Sequence, residues 1–177
     1  MRSTDSLAVL RVIGPAGSGK SSLIITLAQM LGIHGHRVSN VSQNRLMNAT
    51  VVTLSNDARV TVEGLPSLDE IARLARSVDP SADLLLAEAY DDGAYPAVAM
   101  VPRGAPRPPS TGLLATVDTE ALAASFARGG PGAGTTTSDR LLATLVAKIE
   151  RDLLGVEARP ASIASRLASM ARGLLGR

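Results

Sequence analysis

The stretch from Gly14 to Ser21, written GPAGSGKS, carries the clearest chemistry in the sequence. It matches the spacing G-x-x-x-x-G-K-[ST], in which glycines let backbone N–H groups curve around phosphate oxygens. Lys20 would reach the β- and γ-phosphates, and the Ser21 hydroxyl would take one place on Mg²⁺. The residues predicted to bind a nucleoside triphosphate are Gly14, Pro15, Ala16, Gly17, Ser18, Gly19, Lys20, Ser21 and Ser22.

A phosphate loop of this kind usually works with an acidic residue at the end of a neighbouring strand. The run ADLLLAEAY offers Asp83 and Glu88, which a strand would hold roughly 16 Å apart. Ligands bind at the carboxyl ends of strands in such sheets, so Asp83 should face the wrong end. We therefore expect Glu88 to hold Mg²⁺ or to orient a water, the alternative being a solvated loop carboxylate. Asp91 and Asp92 follow in the loop as weaker candidates.

Hydrophobic periodicity predicts the elements that must position these groups. Short apolar runs predict strands at 7–13, 37–41, 83–87, 96–101 and 113–117, and a hairpin over 49–63. Helices are predicted at 19–31, at 67–78 with a Ser67/Glu70 capping box, from Asp118 or Thr119 to 126, and over 138–154. Strands alternating with helices predict an α/β protein, a three-layer sandwich with a mostly parallel sheet, helices on both faces and an added hairpin.

The sequence allows two interpretations for each of three features: the segment 128–137, the tail 155–177 and the residue Asp118. The stretch 128–137 is glycine-rich but lacks a GK[ST] ending, which favours a linker over a second phosphate loop. The tail over 155–177 predicts an amphipathic helix that packs on the 1–154 domain or on a second copy, the alternative being a membrane-surface helix. Asp118 stands where a base-reading acid could lie, although a helix N-cap is the simpler role.

Composition excludes several classes of function. The chain has 177 residues, no cysteine, two histidines, 2% aromatic residues and a net charge of +2. Disulfides and thiolate metal sites are therefore excluded, and nucleic-acid binding is disfavoured because aromatic stacking groups are scarce. No apolar run is long enough for a signal peptide or a membrane span, so we expect a cytoplasmic protein.

The ordered set of motifs resembles the molybdopterin-guanine dinucleotide biosynthesis protein B family of P-loop NTPases. The resemblance rests on four segments: 14–21, the L-x-x-x-L helix at 23–31, 83–90 and 96–103. It implies a GTP-binding, slowly hydrolysing, dimeric accessory protein of molybdenum cofactor synthesis, with molybdopterin and a guanylyltransferase as partners. It also assigns the strand-end glutamate of the family to Glu88. Relative to the family pattern, the region 42–50 is shortened.

Three other functions remain open at this stage. A small-molecule kinase would share the phosphate loop but needs a lid with arginines, for which only Arg103 and Arg107 are available. A nucleotide-gated metallochaperone or regulatory switch is the next alternative, and a scaffold with a vestigial loop is the last. The residues do not distinguish GTP from ATP, because the guanine-reading N-K-x-D signature is absent.

Overall fold

The computed structural model describes residues 7–88, 90, 94–106, 112–127 and 137–156. Its strands are β1 (Ala8–Ile13), β2 (Val38–Asn44), β3 (Ala49–Thr53), β4 (Arg59–Glu63), β5 (Leu84–Glu88), β6 (Ala97–Val101) and β7 (Leu113–Asp118). Its helices are α1 (Lys20–Ile33), α2 (Leu68–Val78), α3 (Thr119–Ala127) and α4 (Thr137–Ile149), and α4 runs into a π-helical segment at Glu150–Leu154.

One seven-stranded sheet has the order β4-β3-β2-β5-β1-β6-β7. The five strands from β2 to β7 in that order are parallel, whereas β3 and β4 continue the sheet in antiparallel fashion beyond β2. Buried parallel strands need apolar side chains on both faces, and the run LLLA in β5 is buried throughout. The predicted α/β sandwich, with its mostly parallel sheet and added hairpin, is confirmed.

Helices cover both faces of this sheet and divide the core in two. On one face, Leu10, Val12, Leu84 and Leu86 pack with buried residues of α1, α3 and α4. On the other face, buried residues of β1, β2, β3 and β5 pack with Leu68, Ile71 and Ala75 of α2. The alternation of side chains along each strand produces this division, because successive residues point to opposite faces.

The predicted capping box begins α2. The Ser67 backbone N–H donates to Glu70 Oε2 over 2.8 Å, and the Glu70 N–H donates to Ser67 Oγ over 3.3 Å. The hydrogen bond from the Ser67 hydroxyl, followed by that from its backbone, lowers the pKa of Glu70. The helix therefore starts where the sequence predicts, because two of its free N–H groups are satisfied locally.

The structure corrects two of the predicted boundaries. The second strand does not end at Val41 but continues to Asn44, since residues 40–44 pair antiparallel with β3. The 49–63 hairpin is thus the outer part of a three-stranded antiparallel meander. The last helix is regular only to Ile149, after which the backbone widens into the π-helical segment and ends at Gly155 with a φ of 69°.

Several predictions fall outside the described residues. These are the amphipathic helix of the tail, most of the 128–137 linker, and the candidates Asp91, Asp92 and Arg107. In the part of the chain that is described, no helix is both long and apolar enough to cross a membrane.

Candidate functional site

The glycine-rich loop joins the end of β1 to the start of α1. Gly14 leaves the strand with a φ of 150°, and a Cβ atom there would lie 2.7 Å from Met100 Cβ and 2.8 Å from the Met100 carbonyl oxygen. Gly19 precedes the helix with a φ of 86° and a ψ of 21°, in the left-handed region. The first position therefore requires glycine for space and the second for backbone conformation.

Lys20 folds back over this loop. Its Nζ donates to the carbonyl oxygens of Gly14 and Pro15, over 3.0 and 2.7 Å. The ammonium group therefore lies above the loop, where its partners among the described residues are backbone oxygens, and both bonds are exposed. A bound phosphate would offer it a stronger, charged acceptor at the same place.

The loop also presents donors that the protein does not use. The first intrahelical bond of α1 runs from the Leu23 N–H to the Gly19 oxygen, so the N–H groups at 20–22 have no acceptor within the helix. The hydroxyl of Ser18 is buried and has no hydrogen-bond partner among the described residues. Free N–H groups at a helix start, a buried hydroxyl and an ammonium group together fit an anionic phosphate chain.

Glu88 lies beside this loop because of the strand order. It is the last residue of β5, which runs between β1 and β2, and it is the register partner of Val12 and of Ser42. The Ser21 hydroxyl donates to Glu88 Oε1 over 2.7 Å. The structure thus joins the two residues that the sequence predicts as Mg²⁺ ligands.

This pair fits a hard cation with few protein ligands. A hydroxyl and one carboxylate are oxygen donors of the kind that Mg²⁺ accepts, usually together with phosphates and waters. Among the described residues, no group of three or more His, Cys, Asp or Glu side chains forms a metal site. A magnesium ion held by Ser21 and Glu88 would therefore take its other ligands from nucleotide and solvent.

Asp83 lies at the opposite edge of the sheet, as the direction of β5 requires. Its carboxylate accepts the Arg37 backbone N–H over 2.8 Å, and its own backbone oxygen accepts the Ala8 N–H. It takes no part in the loop region. The carboxyl end of β5 is therefore the end that bears the candidate site.

Asp118 acts as the N-cap of α3. Its Oδ1 accepts the N–H groups of Glu120 and Ala121 over 2.9 and 3.0 Å. These bonds, that of Ala121 first, lower the pKa of Asp118. Oδ2 is 3.4 Å from Arg103 Nε, so Arg103, one of the two candidate lid arginines, pairs with this cap and with Glu120.

Arg11 is a residue of this region that sequence reasoning missed. It lies within the apolar strand β1 and is only 3% exposed. Its Nε donates to the Tyr95 oxygen over 2.9 Å and its Nη1 to the Tyr90 oxygen over 3.3 Å, while Nη2 has no hydrogen-bond partner in the part of the chain that the structure describes. Arg11 therefore anchors both ends of the segment that follows Glu88. The sequence feature that could have identified Arg11 is its charge, which stands alone in an otherwise apolar strand.

The region 42–50 borders the same edge of the sheet. Ser42 is the register partner of Glu88, and an open groove there is lined by Ser42, Gln43, Asn44, Arg45, Leu46 and Val51. In the turn at one end of the groove, Leu46 is fully exposed and Met47 is 75% exposed. The β2–β3 turn thus follows a strand that pairs with β5 at Glu88, the candidate metal ligand.

Comparison with known proteins gives partial structural likenesses. No protein-family model matches this chain, and no curated protein matches it either. The MobB protein homolog of Bacillus stearothermophilus is 28% identical, with 52% of this chain and 63% of that chain covered and a TM-score of 0.39. MobB of Bacillus subtilis is 20% identical, with 52% and 64% covered and a TM-score of 0.39. This chain thus spans less than two thirds of either protein.

Proposed function

We propose that the protein binds a nucleoside triphosphate with Mg²⁺ and hydrolyses it slowly, as an accessory protein of molybdenum cofactor synthesis. The observation that carries the nucleotide part is the contact of Ser21 with Glu88, 2.7 Å long, beside the loop that Lys20 caps. Hydroxyl, carboxylate and ammonium are the three side chains that such a site needs, and residues 67 positions apart supply two of them.

In this proposal the loop, Lys20, Ser21 and Glu88 act on different parts of the bound nucleotide. The free N–H groups of the loop and of the first turn of α1 hold the phosphates, aided by the partial positive charge of the helix start. Lys20 leaves its two carbonyl partners and neutralises the terminal phosphates. Ser21 and Glu88 hold Mg²⁺, which when bound neutralises charge on the transferred phosphoryl group, or Glu88 orients the attacking water.

The nucleotide state would be sensed by the 42–50 region. Ser42 pairs with Glu88, so a shift of that carboxylate between occupied and empty states is transmitted to β2 and its turn. The fully exposed Leu46 at the turn would then change its position relative to the sheet. Slow hydrolysis of the nucleotide would return the turn to its conformation in the empty state.

The client is proposed from the sequence resemblance alone. Molybdopterin and a guanylyltransferase would be the partners, GTP would be the preferred nucleotide, and the protein would act as a homodimer. A kinase remains the second function to test, although Arg103, the described candidate lid arginine, is engaged in the cap of α3.

A binding titration tests the proposal. Labelled GTP and ATP are titrated into the full chain with and without Mg²⁺, and into Lys20→Ala and Lys148→Ala. Lys148 on α4, the only other lysine of the chain, pairs with Asp152 of the π-helical segment and is the matched control. We expect Mg²⁺-dependent binding that Lys20→Ala weakens by about 100-fold and Lys148→Ala leaves intact.

Each outcome has a definite meaning. Equal affinity of the Lys20→Ala variant and the wild type would refute nucleotide binding at the loop. A GTP preference would support the cofactor-synthesis function and lead to binding assays with molybdopterin. An ATP preference would favour the kinase and lead to a screen of small-molecule acceptors.

A further inference from the structure

The connection from β5 to β6 crosses the strand that lies between them. Because β1 separates β5 from β6 in the sheet, residues 89–96 pass over one face of β1. A crossover between parallel strands usually takes roughly a dozen residues or more. This connection is shorter, and it leaves β5 directly after Glu88, the candidate metal ligand. The chain that follows the metal ligand is therefore confined close to β1.

Arg11 lies under this crossing, on the face of β1 that packs with α2. Its register partners are Ala87 of β5 and Ala97 of β6, at the two ends of the connection. Side chains alternate along a strand, so Arg11 shares the face of Ala87, whereas Glu88 is turned toward Ser21 of α1. Arg11 therefore approaches the connection from the face of the sheet opposite the Glu88 carboxylate.

Donors of Arg11 hold both ends of the connection. At the β6 end, its backbone N–H donates to the Pro96 oxygen over 2.9 Å and its Nε donates to the Tyr95 oxygen over 2.9 Å. At the β5 end, its Nη1 donates to the Tyr90 oxygen over 3.3 Å, just beyond Glu88. The backbone of Glu88 thus lies between the β5 ladder on one side and a bonded backbone oxygen on the other.

The two tyrosines are also anchored through their side chains. Tyr90 is 5% exposed and belongs to the core on the α2 face of the sheet. The Tyr95 hydroxyl donates to the carboxylate of Asp69 in the first turn of α2. Arg11 therefore links two residues that are themselves fixed to the core and to α2, and the backbone at Glu88 has little freedom to turn.

The burial of Arg11 is costly if stability is considered alone. The residue is 3% exposed, its Nη2 has no hydrogen-bond partner, and no carboxylate pairs with it among the described residues. A buried charge without a partner of opposite sign is unfavourable. An apolar side chain would occupy this position of an apolar strand at a lower desolvation cost. What the arginine adds is therefore its hold on the β5–β6 connection.

We propose that Arg11 is a positioning residue for the metal site, which holds the crossing so that the Glu88 carboxylate stays within reach of Ser21 and Mg²⁺. Arg11 acts through the backbone of Tyr90 and not by contact with nucleotide or metal. Groups that orient a metal ligand commonly change metal affinity by about tenfold or more when they are removed. The inference rests on the proposed function, because it concerns one of the two protein ligands that function requires.

The experiment measures the affinity of the full chain for labelled GTP and ATP in Mg²⁺ and in EDTA, and the ratio of the two dissociation constants gives the gain from the metal. The variants are Arg11→Met, which removes the side-chain donors and the charge, Glu88→Gln, and the double variant. Arg11→Lys, with one nitrogen in place of the guanidinium fork, covers the case in which Arg11→Met does not fold. Circular dichroism verifies that each variant is folded.

Arg76→Met is the matched control. Arg76 Nη1 also donates to a backbone oxygen, that of Ala82, over 3.2 Å, but it does so near the amino end of β5. The control thus removes the same kind of contact at the end of the strand away from the candidate site.

We expect Arg11→Met to reduce the gain from Mg²⁺ about tenfold and to leave binding in EDTA unchanged, with Arg11→Lys between it and the wild type. The double variant should lose no more of the gain than Glu88→Gln alone, because both changes act on one carboxylate. Arg76→Met should keep the whole gain.

Several results would overturn the inference. Equal losses in Mg²⁺ and in EDTA would make Arg11 a support of the phosphate loop as a whole, and additive losses in the double variant would mean that it acts apart from Glu88. A folded Arg11 variant with the full gain, or an equal loss in Arg76→Met, would refute the inference and leave the proposed function intact. A wild type without Mg²⁺-dependent binding would refute the proposed function and this inference with it.

Discussion

At the residue scale, the site depends on a few atoms with little tolerance. A Cβ atom at Gly14 would lie 2.8 Å from the Met100 carbonyl oxygen, and the Ser21 hydroxyl donates to Glu88 across the gap between α1 and β5. These two features involve different residues, so a substitution can alter one and leave the other in place. Single substitutions can therefore test the loop geometry and the metal pair independently.

Gly14→Ala should destabilise the fold by about 2–4 kcal/mol, because the added methyl collides with backbone and the φ of 150° is strained for alanine. Urea unfolding measures the change. Gly32→Ala in α1 is the control, since a Cβ there meets nothing within 4 Å. We expect that control to raise stability by about 0.5–1 kcal/mol, as alanine usually does in a helix. Equal effects at the two positions would show that the loop is not tightly packed on β6.

Glu88→Gln should reduce the gain in nucleotide affinity that Mg²⁺ provides by about tenfold, since an amide oxygen is a poorer ligand than a carboxylate. Binding measured in EDTA should not change. Asp83→Asn is the matched control at the other end of β5, where its oxygen can still accept the Arg37 N–H. Loss of affinity in EDTA as well would mean that Glu88 supports the fold of the loop and not a metal ion.

At the element scale, buried polar contacts connect helix ends to the sheet. Asp79, at the end of α2, accepts bonds from the Ser55 hydroxyl and N–H, from Ser81 and from Arg37. Its side chain is only 7% exposed. One carboxylate thus ties the end of α2 to the β3–β4 turn.

Asp79→Asn should lower the free energy of unfolding by about 1–3 kcal/mol at pH 7, because a charge-assisted network is lost. The Ser55 hydroxyl, as the largest cause, lowers the pKa of Asp79 below its usual 3.8. The native carboxylate therefore stabilises the fold at pH values above 3.8, and this contribution is lost as the pH falls through its lowered native pKa.

Urea unfolding of both proteins between pH 7 and pH 2.5 measures this difference. The gap between wild type and Asp79→Asn should be constant from pH 7 to about pH 5 and then shrink on further acidification. Asp57→Asn in the exposed part of the same turn is the control. A gap that stays constant to the lowest pH would contradict the assignment to the Asp79 carboxylate.

At the scale of the whole molecule, contacts between distant segments close the fold at the end of the sheet opposite the loop. Glu150 Oε1 lies 2.7 Å from His34 Nδ1 and 3.0 Å from His36 Nε2, although the chain separates them by more than a hundred residues. All three side chains are mostly buried. This cluster links the end of α1 to the π-helical segment after α4.

Glu150→Ala should lower the melting temperature by about 4–8 °C, because two largely buried imidazoles lose their shared acceptor. Glu120→Ala is the control, since Glu120 is well exposed and pairs with Arg103 at the surface. We expect that control to change the melting temperature by at most about 2 °C. Differential scanning calorimetry of the wild type and both variants measures these melting temperatures. Equal melting temperatures would mean that the cluster is incidental to stability.

The sequence by itself determined the local features of this protein. The spacing of GPAGSGKS dictates a tight loop between β1 and α1, because Gly14, Gly17 and Gly19 have positive φ angles, and Ser67 with Glu70 dictates the start of α2. Strand direction placed Glu88 rather than Asp83 beside the glycine-rich loop, because the carboxyl ends of parallel strands lie at the same edge of the sheet. These features follow from interactions within a few residues or from one rule of topology.

Only the tertiary structure decided which strands are neighbours in the sheet and which strands lie at its edges. Local periodicity predicted that β2 would end at Val41, whereas pairing with β3 extends it to Asn44. It also gave no indication that Arg11 anchors the segment after Glu88, or that β4 is left at the edge. Such outcomes depend on contacts between residues far apart in the chain, and the pattern of a single segment does not encode its partner.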